Sequence, residues 1–173
     1  MFTLDVLANI SGILGIVAAI LAFQCKQHSK LMLFRTANEL LFALQYCIMG
    51  AYTGMAMNLI GCVRNLVFAG MVERKKDTMA ARFFFSGIAL VFILFTWEGP
   101  KSLLSGVAKT ISTFAYGSKH TSVVRILTLC TSTSWLFYNV LVGSRAGILC
   151  ELLTIGSIMI GILRMDLRKK DKA

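Results

Sequence analysis

The sequence predicts an all-α membrane protein of seven transmembrane helices, arranged as a 3+1+3 parallel repeat of two three-helix bundles. Three observations carry that expectation. Of 173 residues, 57% are hydrophobic and 15% charged, with a mean hydropathy of +0.74; a soluble domain is nearer half apolar and a quarter charged. The charges are concentrated between apolar runs long enough to cross a bilayer. The stretch Asn38 to Gly61, NELLFALQYCIMGAYTGMAMNLIG, also recurs 93 positions later as Thr131 to Thr154, TSTSWLFYNVLVGSRAGILCELLT. The turn Gly50 to Gly54 falls on Gly143 to Gly147, each with glycine, three residues, glycine. A repeat of this period is the first thing to test in a fold.

The helices follow from the apolar runs. Leu4 to Gln24 forms the first span. Its Ser11, Gly15 and Ala19 lie four apart, a spacing that lets another helix approach closely. Leu31 to Met49 forms the second, with Arg35, Asn38 and Glu39 inside it. Arg35 is near enough to the basic loop Lys26 to Lys30 to snorkel, and Glu39 is not. Gly54 to Val72 is the third, carrying Asn58, Arg64 and Asn65. Ala81 to Trp97 is apolar all round, as expected of a lipid-facing fourth helix. Ser102 to Tyr116 is short and polar, with Lys109 at its middle. Val123 to Val142 and Gly147 to Met165 complete the set.

Charge decides that the short fifth segment spans. With seven crossings, Lys26, Lys30, the Arg74–Lys76 cluster, Arg82, Lys119 and the basic tail all fall on one side, against Lys101 and Arg145 on the other. Lysine and arginine accumulate on the cytoplasmic side, so the N-terminus is expected outside and the C-terminus in the cytoplasm. Three helices repeated directly would invert, because three is odd; a fourth crossing restores the direction. The units are then 1–72, the first bundle; 73–101, a charged linker with helix 4; 102–166, the second bundle; and 167–173, a basic tail.

Composition and motifs also exclude classes. The net charge of +10 is explained by cytoplasmic loops, since the basic clusters lack the motifs of nucleic-acid recognition. Five cysteines without a C-x-x-C read as packing residues rather than a disulfide or zinc framework. His28 and His120 lie in basic loops with no second ligand at metal spacing. No nucleophile elbow, P-loop, H-E-x-x-H or Rossmann fingerprint is present. The expectation is a non-enzyme with no cofactor and no metal. Its partners would be the lipid bilayer and a small polar solute, with homo-oligomerisation left open.

The 3+1+3 layout resembles the SWEET, SemiSWEET and PQ-loop transporter superfamily. The stretches AFQCKQHSK, GAYTGMAMNLIGCVRNLVF and GSRAGILCELLTIGSIMIGILR are more closely similar to the YgjV-like (Imp-YgjV) inner-membrane proteins of bacteria. That resemblance covers nearly the whole chain and implies a multipass bacterial inner-membrane protein of SWEET-like fold. SWEET-like transporters carry an aromatic on the middle helix and an asparagine on the third helix of each bundle. The matching positions here are Phe42 with Asn58, and Trp135 with Glu151, each pair sixteen apart. Glu151 departs from the pattern; a buried carboxylate suits a cation, an amine or a proton-coupled substrate better than a neutral sugar. The superfamily's Pro-Gln hinge is represented only by Gln24, after Phe23.

Spacing adds further candidates. Glu39, Phe42 and Tyr46 share a helical face, as do Ser132, Trp135 and Asn139. If the two faces meet, they line one cavity suited to a small polar solute; otherwise they are aromatic packing with scattered hydrogen bonds. Glu39 and Arg64 sit at matching depth on antiparallel neighbours, so an ion pair is expected, since an isolated charge there costs several kcal/mol. It would act as a structural brace or as a gate. Lys109 would pair with Glu151, line the path or meet another interior acceptor. The expected substrate contacts are Phe42, Asn58, Trp135, Asn139 and Glu151. The expected function is transport of a small polar solute by alternating access, with a non-transporting scaffold or regulatory subunit as the rival.

Overall fold

A computed structural model describes residues 2–24, 28–118 and 121–161. Among these residues the structure is all α, with seven helices: α1 (Phe2–Gln24), α2 (His28–Ile48), α3 (Tyr52–Glu73), α4 (Met79–Phe95), α5 (Lys101–Tyr116), α6 (Thr121–Val142) and α7 (Arg145–Gly161). The loop lysines Lys26 and Lys119, His120, the expected last turn to Met165 and the basic tail lie outside the described residues.

The helices form a closed ring in chain order. α2 packs between α1 and α3, and α6 between α5 and α7; α4 packs on α3 and α5, while α3 meets α5 and α7 meets α1. The small residues of α1 sit where they are needed. The Gly15 carbonyl accepts a hydrogen bond from Asn38 Nδ2 at 2.9 Å, and a Cβ on Gly15 would stand 2.8 Å from the Phe42 ring. The α1–α2 contact is therefore as close as the stripe of small residues allows.

The two turns after α2 and α6 are built alike. Gly50 (φ +69°) and Gly143 (φ +75°) adopt the left-handed conformation that favours glycine after a helix. In one, Ala51 N–H donates to the Tyr46 carbonyl at 2.9 Å; in the other, Ser144 N–H donates to the Asn139 carbonyl at 2.9 Å. These six-to-one bonds close both helices in the Schellman manner. At the same end, the Glu98 carboxylate accepts the Thr53 N–H of the first turn of α3 at 2.9 Å, where a negative charge complements the helix dipole. At the opposite end, Arg82 of α4 donates to the Gly117 carbonyl that follows α5.

Polarity is inverted relative to a soluble protein. Large apolar side chains face outward on every helix, with Leu94 76% and Phe95 83% exposed. Buried polar and charged groups include Asn38, Glu39, Asn58, Arg64, Asn65, Lys109 and Asn139. An apolar exterior of this extent needs a partner. Leu4–Ala22 and Tyr52–Glu73 are long and apolar enough to cross a bilayer by length and composition, while Met79–Phe95 and Ile126–Val142 are shorter apolar helices.

α4 differs from expectation, and α5 is as short and polar as expected. α4 is not uniformly lipid-facing: Phe85, Ser86, Ala89 and Ile93 are buried, and they are the stripe it turns to α3 and α5. α5 has 16 residues and is about 24 Å long at 1.5 Å per residue, short of the ~30 Å hydrocarbon core. Its polarity is concentrated inward, where Ser102, Ser105, Lys109, Ser112 and Thr113 are buried.

Candidate functional site

A cavity of about 40 Å³ lies inside the ring, lined from α2, α3, α5, α6 and α7. On the criterion that one water needs ~10–15 Å³ of such space, it holds about three waters or a solute of that size. Its wall includes Glu39, Phe42, Asn58, Trp135, Asn139 and Glu151, all of the sequence candidates except Arg64. The two helical faces picked out by spacing, Glu39-Phe42-Tyr46 and Ser132-Trp135-Asn139, both contribute.

They meet near the glycine turns. The Tyr46 hydroxyl donates to Asn139 Oδ1 at 2.6 Å. The Tyr46 ring stacks on Trp135, with centroids 6.1 Å apart and 8° between planes, and meets Tyr138 edge-on at 5.7 Å. Two further contacts flank this one. The Gly54 N–H donates to the Tyr138 hydroxyl at 2.8 Å, and the Ser144 hydroxyl donates to Gln45 Oε1 at 3.3 Å. Close approach is built in: a Cβ on Gly54 would stand 2.5 Å from that hydroxyl, and one on Gly147 would stand 2.2 Å from Asn139 Oδ1. At this end α2 and α3 are tied to α6 and to the turn before α7 by hydrogen bonds and by aromatic rings.

One side of the cavity is a charged network. Arg64 donates to Glu39 Oε1 at 2.9 Å, and Lys109 donates to Glu39 Oε2 at 3.1 Å. Arg64, 0% exposed, also donates to Asn65 Oδ1, Ser112 Oγ and Thr113 Oγ1. Ser112 and Thr113 in turn donate to the Lys109 carbonyl, each at 2.8 Å. Each charge faces an opposite charge, and Arg64 has neutral hydrogen-bond partners as well, the condition under which ions are tolerated in an apolar interior. Gly61 makes the space: a Cβ there would stand 1.4 Å from Glu39 Oε2 and 2.4 Å from Lys109 Nζ. Arg64 does not line the cavity. Lys109 does, and its ammonium lies 5.7 Å from the Trp135 ring centroid.

The other carboxylate is held differently. Glu151 lines the cavity along with Ser132, Arg35 and Lys109; among the described residues it has no ion pair within 4.0 Å. The Lys109–Glu151 pairing allowed by the sequence does not form, because α5 presents Lys109 to α2. Arg35 also differs from expectation. Its side chain is partly buried, lines the cavity and donates to the Tyr116 hydroxyl, whose ring centroid lies 5.2 Å from the guanidinium carbon; it does not simply extend toward the basic end.

Sequence reasoning did not identify Arg35 as a cavity residue, the Lys109–Glu39 pair, Gly61 or the Tyr138 and Gln45 contacts. The available signal for Lys109 was its position at the centre of an otherwise apolar-to-neutral helix. For Tyr46 and Asn139 it was their equivalence in the 93-residue register. Among the described residues, no group of three or more His, Cys, Asp or Glu is placed to hold a metal ion.

An apolar exterior around a polar, ion-paired interior defines a helical membrane protein with an internal hydrophilic site. The chain belongs to the Imp-YgjV family, described as bacterial inner membrane protein, whose profile matches residues 6–169. No curated protein matches the chain. No solved structure matches it either.

Proposed function

We propose that the protein moves a small polar solute across the bacterial inner membrane by alternating access between two bundles, α1–α3 and α5–α7, linked by α4. The observation that carries this reading is the cavity: a polar, charge-bearing space walled by helices from both halves within an apolar exterior. Such sites near the centre of a membrane protein are characteristic of transporters built from repeats. The parallel 3+1+3 arrangement draws support from contacts that recur in the 93-residue register. Tyr46 and Asn139 are equivalent positions and bond to each other; the Tyr138–Gly54 and Gln45–Ser144 bonds reach equivalent turns. Contacts of that kind are what a two-fold axis along the membrane normal would produce.

In this reading Phe42 and Trp135 are the aromatic walls, with Asn58, Asn139 and Glu151 as polar contacts. The Tyr46–Asn139 bond closes the outer side, given an outside N-terminus and a cytoplasmic C-terminus. The Glu39–Arg64 pair serves as a brace rather than a gate, because Arg64 is fully engaged behind the cavity wall. That same self-satisfied network is what favours the rival, a scaffold or regulatory subunit whose polar groups serve as helix–helix glue. Solute uptake into proteoliposomes distinguishes them. Wild type is expected to take up at least one solute of a broad panel, and Trp135→Ala to lose most of that flux. A panel with no uptake by wild type would leave the scaffold reading.

A further inference from the structure

The ring joins its two halves at two places, and they are finished differently. At one, α3 meets α5 and α4 packs on both, burying the stripe Phe85, Ser86, Ala89 and Ile93. At the other, α1 meets α7, and no helix packs on both as α4 does on α3 and α5. That second joint opens outward as a groove of about 390 Å³. Its floor is Ile16 and Ala19 of α1 with Cys150 and Thr154 of α7, all buried. Its rims, Ile20, Leu153 and Ser157, are exposed and continue into the apolar exterior.

Depth and shape name the occupant. Ile16 to Ile20 lie within Leu4–Ala22, a stretch long and apolar enough to cross a bilayer. They stand about 6–12 Å from the Gln24 end of α1 at 1.5 Å per residue, inside the hydrocarbon. Between protein and lipid tails there is no hydrophobic driving force, so residence there depends on close packing. A hollow of similar size, about 410 Å³, lies along α4 between Phe83 and Phe92, but one helix alone walls it. A chain in the α1–α7 groove touches two helices and a buried floor, and so makes more contacts than one lying on α4.

We propose that the α1–α7 groove binds one acyl chain of a phospholipid from the leaflet on the Gln24 side, packing over this joint as α4 packs over the other. Cys150 and Thr154 border the polar cavity as well as the groove. The bound chain therefore lies a single side-chain layer from the cavity and covers its flank. The site does not depend on whether the protein moves a solute.

Photocrosslinking tests it. Full-length protein would be placed in nanodiscs of phosphatidylethanolamine and phosphatidylglycerol, doped with a phospholipid carrying a diazirine in mid-chain, and crosslinked peptides would be mapped by mass spectrometry. Crosslinks around Ile16–Ile20 and Leu153–Ser157 should exceed those between Phe83 and Phe92 at least about threefold, a ratio that about five extra non-bonded contacts supply. Ser157→Phe and Ile20→Trp fill the groove from opposite rims and should each lower its crosslinks at least about threefold by steric exclusion. Both positions are exposed, and either variant serves alone should the other fail to fold. Leu152→Phe, at an exposed α7 position outside the groove, should leave the crosslinks unchanged. Equal labelling of the groove and α4 would mean ordinary annular lipid and would overturn the proposal. So would groove crosslinks that neither filling variant lowers. A dimer joined through α1 and α7, with no lipid crosslinks in the groove, would place a second copy there instead and overturn it as well.

Discussion

Glu39 on α2 and Glu151 on α7 line the same cavity, yet their settings differ. Glu39 is 4% exposed, clamped by Arg64 and Lys109 through both of its oxygens. Glu151 is partly buried and, among the described residues, has no ion pair within 4.0 Å. The 93-residue register sharpens the contrast: Glu39 is equivalent to Ser132, and Asn58 to Glu151. Each half therefore offers one carboxylate and one neutral side chain, but on exchanged helices. The cations are not exchanged. Arg35, Arg64 and Lys109 have Thr128, Ser157 and, one register earlier, Ile16 at the corresponding positions. The difference teaches that one carboxylate is bound into the architecture and the other is left for the cavity.

Removing each carboxylate should break the symmetry of outcome. Glu39→Gln leaves two buried cations short of a counter-charge. A buried pair broken from one side costs about 3–5 kcal/mol, so folded, monodisperse protein should fall sharply and its melting temperature drop. Glu151→Gln should accumulate normally, with stability changed by less than about 1 kcal/mol, because among the described residues it breaks no ion pair. Equal loss in the two variants, measured by size-exclusion yield and thermal melting, would remove the distinction.

A methyl group placed beside the clamp sharpens it next. Gly61→Ala pushes a Cβ into Glu39 and Lys109, whereas Gly70→Ala, on the same helix, meets nothing within 4 Å. Overpacking typically costs about 1–3 kcal/mol, so Gly61→Ala should lower the melting temperature and Gly70→Ala should not. A smaller effect is expected where the two halves touch. Tyr46→Phe removes the bond to Asn139, worth about 1 kcal/mol, and should speed the reaction of Cys150, a buried cavity residue, with a small thiol reagent. Peptide-resolved mass spectrometry would follow Cys150 separately from the exposed Cys47 and Cys130. An unchanged Cys150 rate would mean that this bond does not close the cavity.

Much of the architecture was legible because it rests on local patterns. Apolar runs located the helices, since a chain in lipid must satisfy its backbone within each helix. Gly50 and Gly143 marked the turns because only glycine takes the left-handed conformation there at little cost. The faces of α2 and α6 followed from helical periodicity, and the Glu39–Arg64 pair from their depth on adjacent helices. What escaped was everything that depends on how α5 is placed. Lys109 is seventy residues from Glu39, and no local pattern states which way a short helix turns its one interior cation. The same holds for Arg35, whose long side chain is equally able to run outward or inward and turns toward Tyr116 of α5.

The sequence by itself determined that this chain is helical, apolar outside and charged within, because hydropathy, helix length and glycine turns act over a few residues at a time. Tertiary structure alone decided which charges neutralise one another. Ion pairing in an apolar interior depends on distances of a few ångströms between helices far apart in the chain. Packing α5 against α3 brings Lys109 to Glu39 rather than to Glu151, and so decides which charges pair around the cavity.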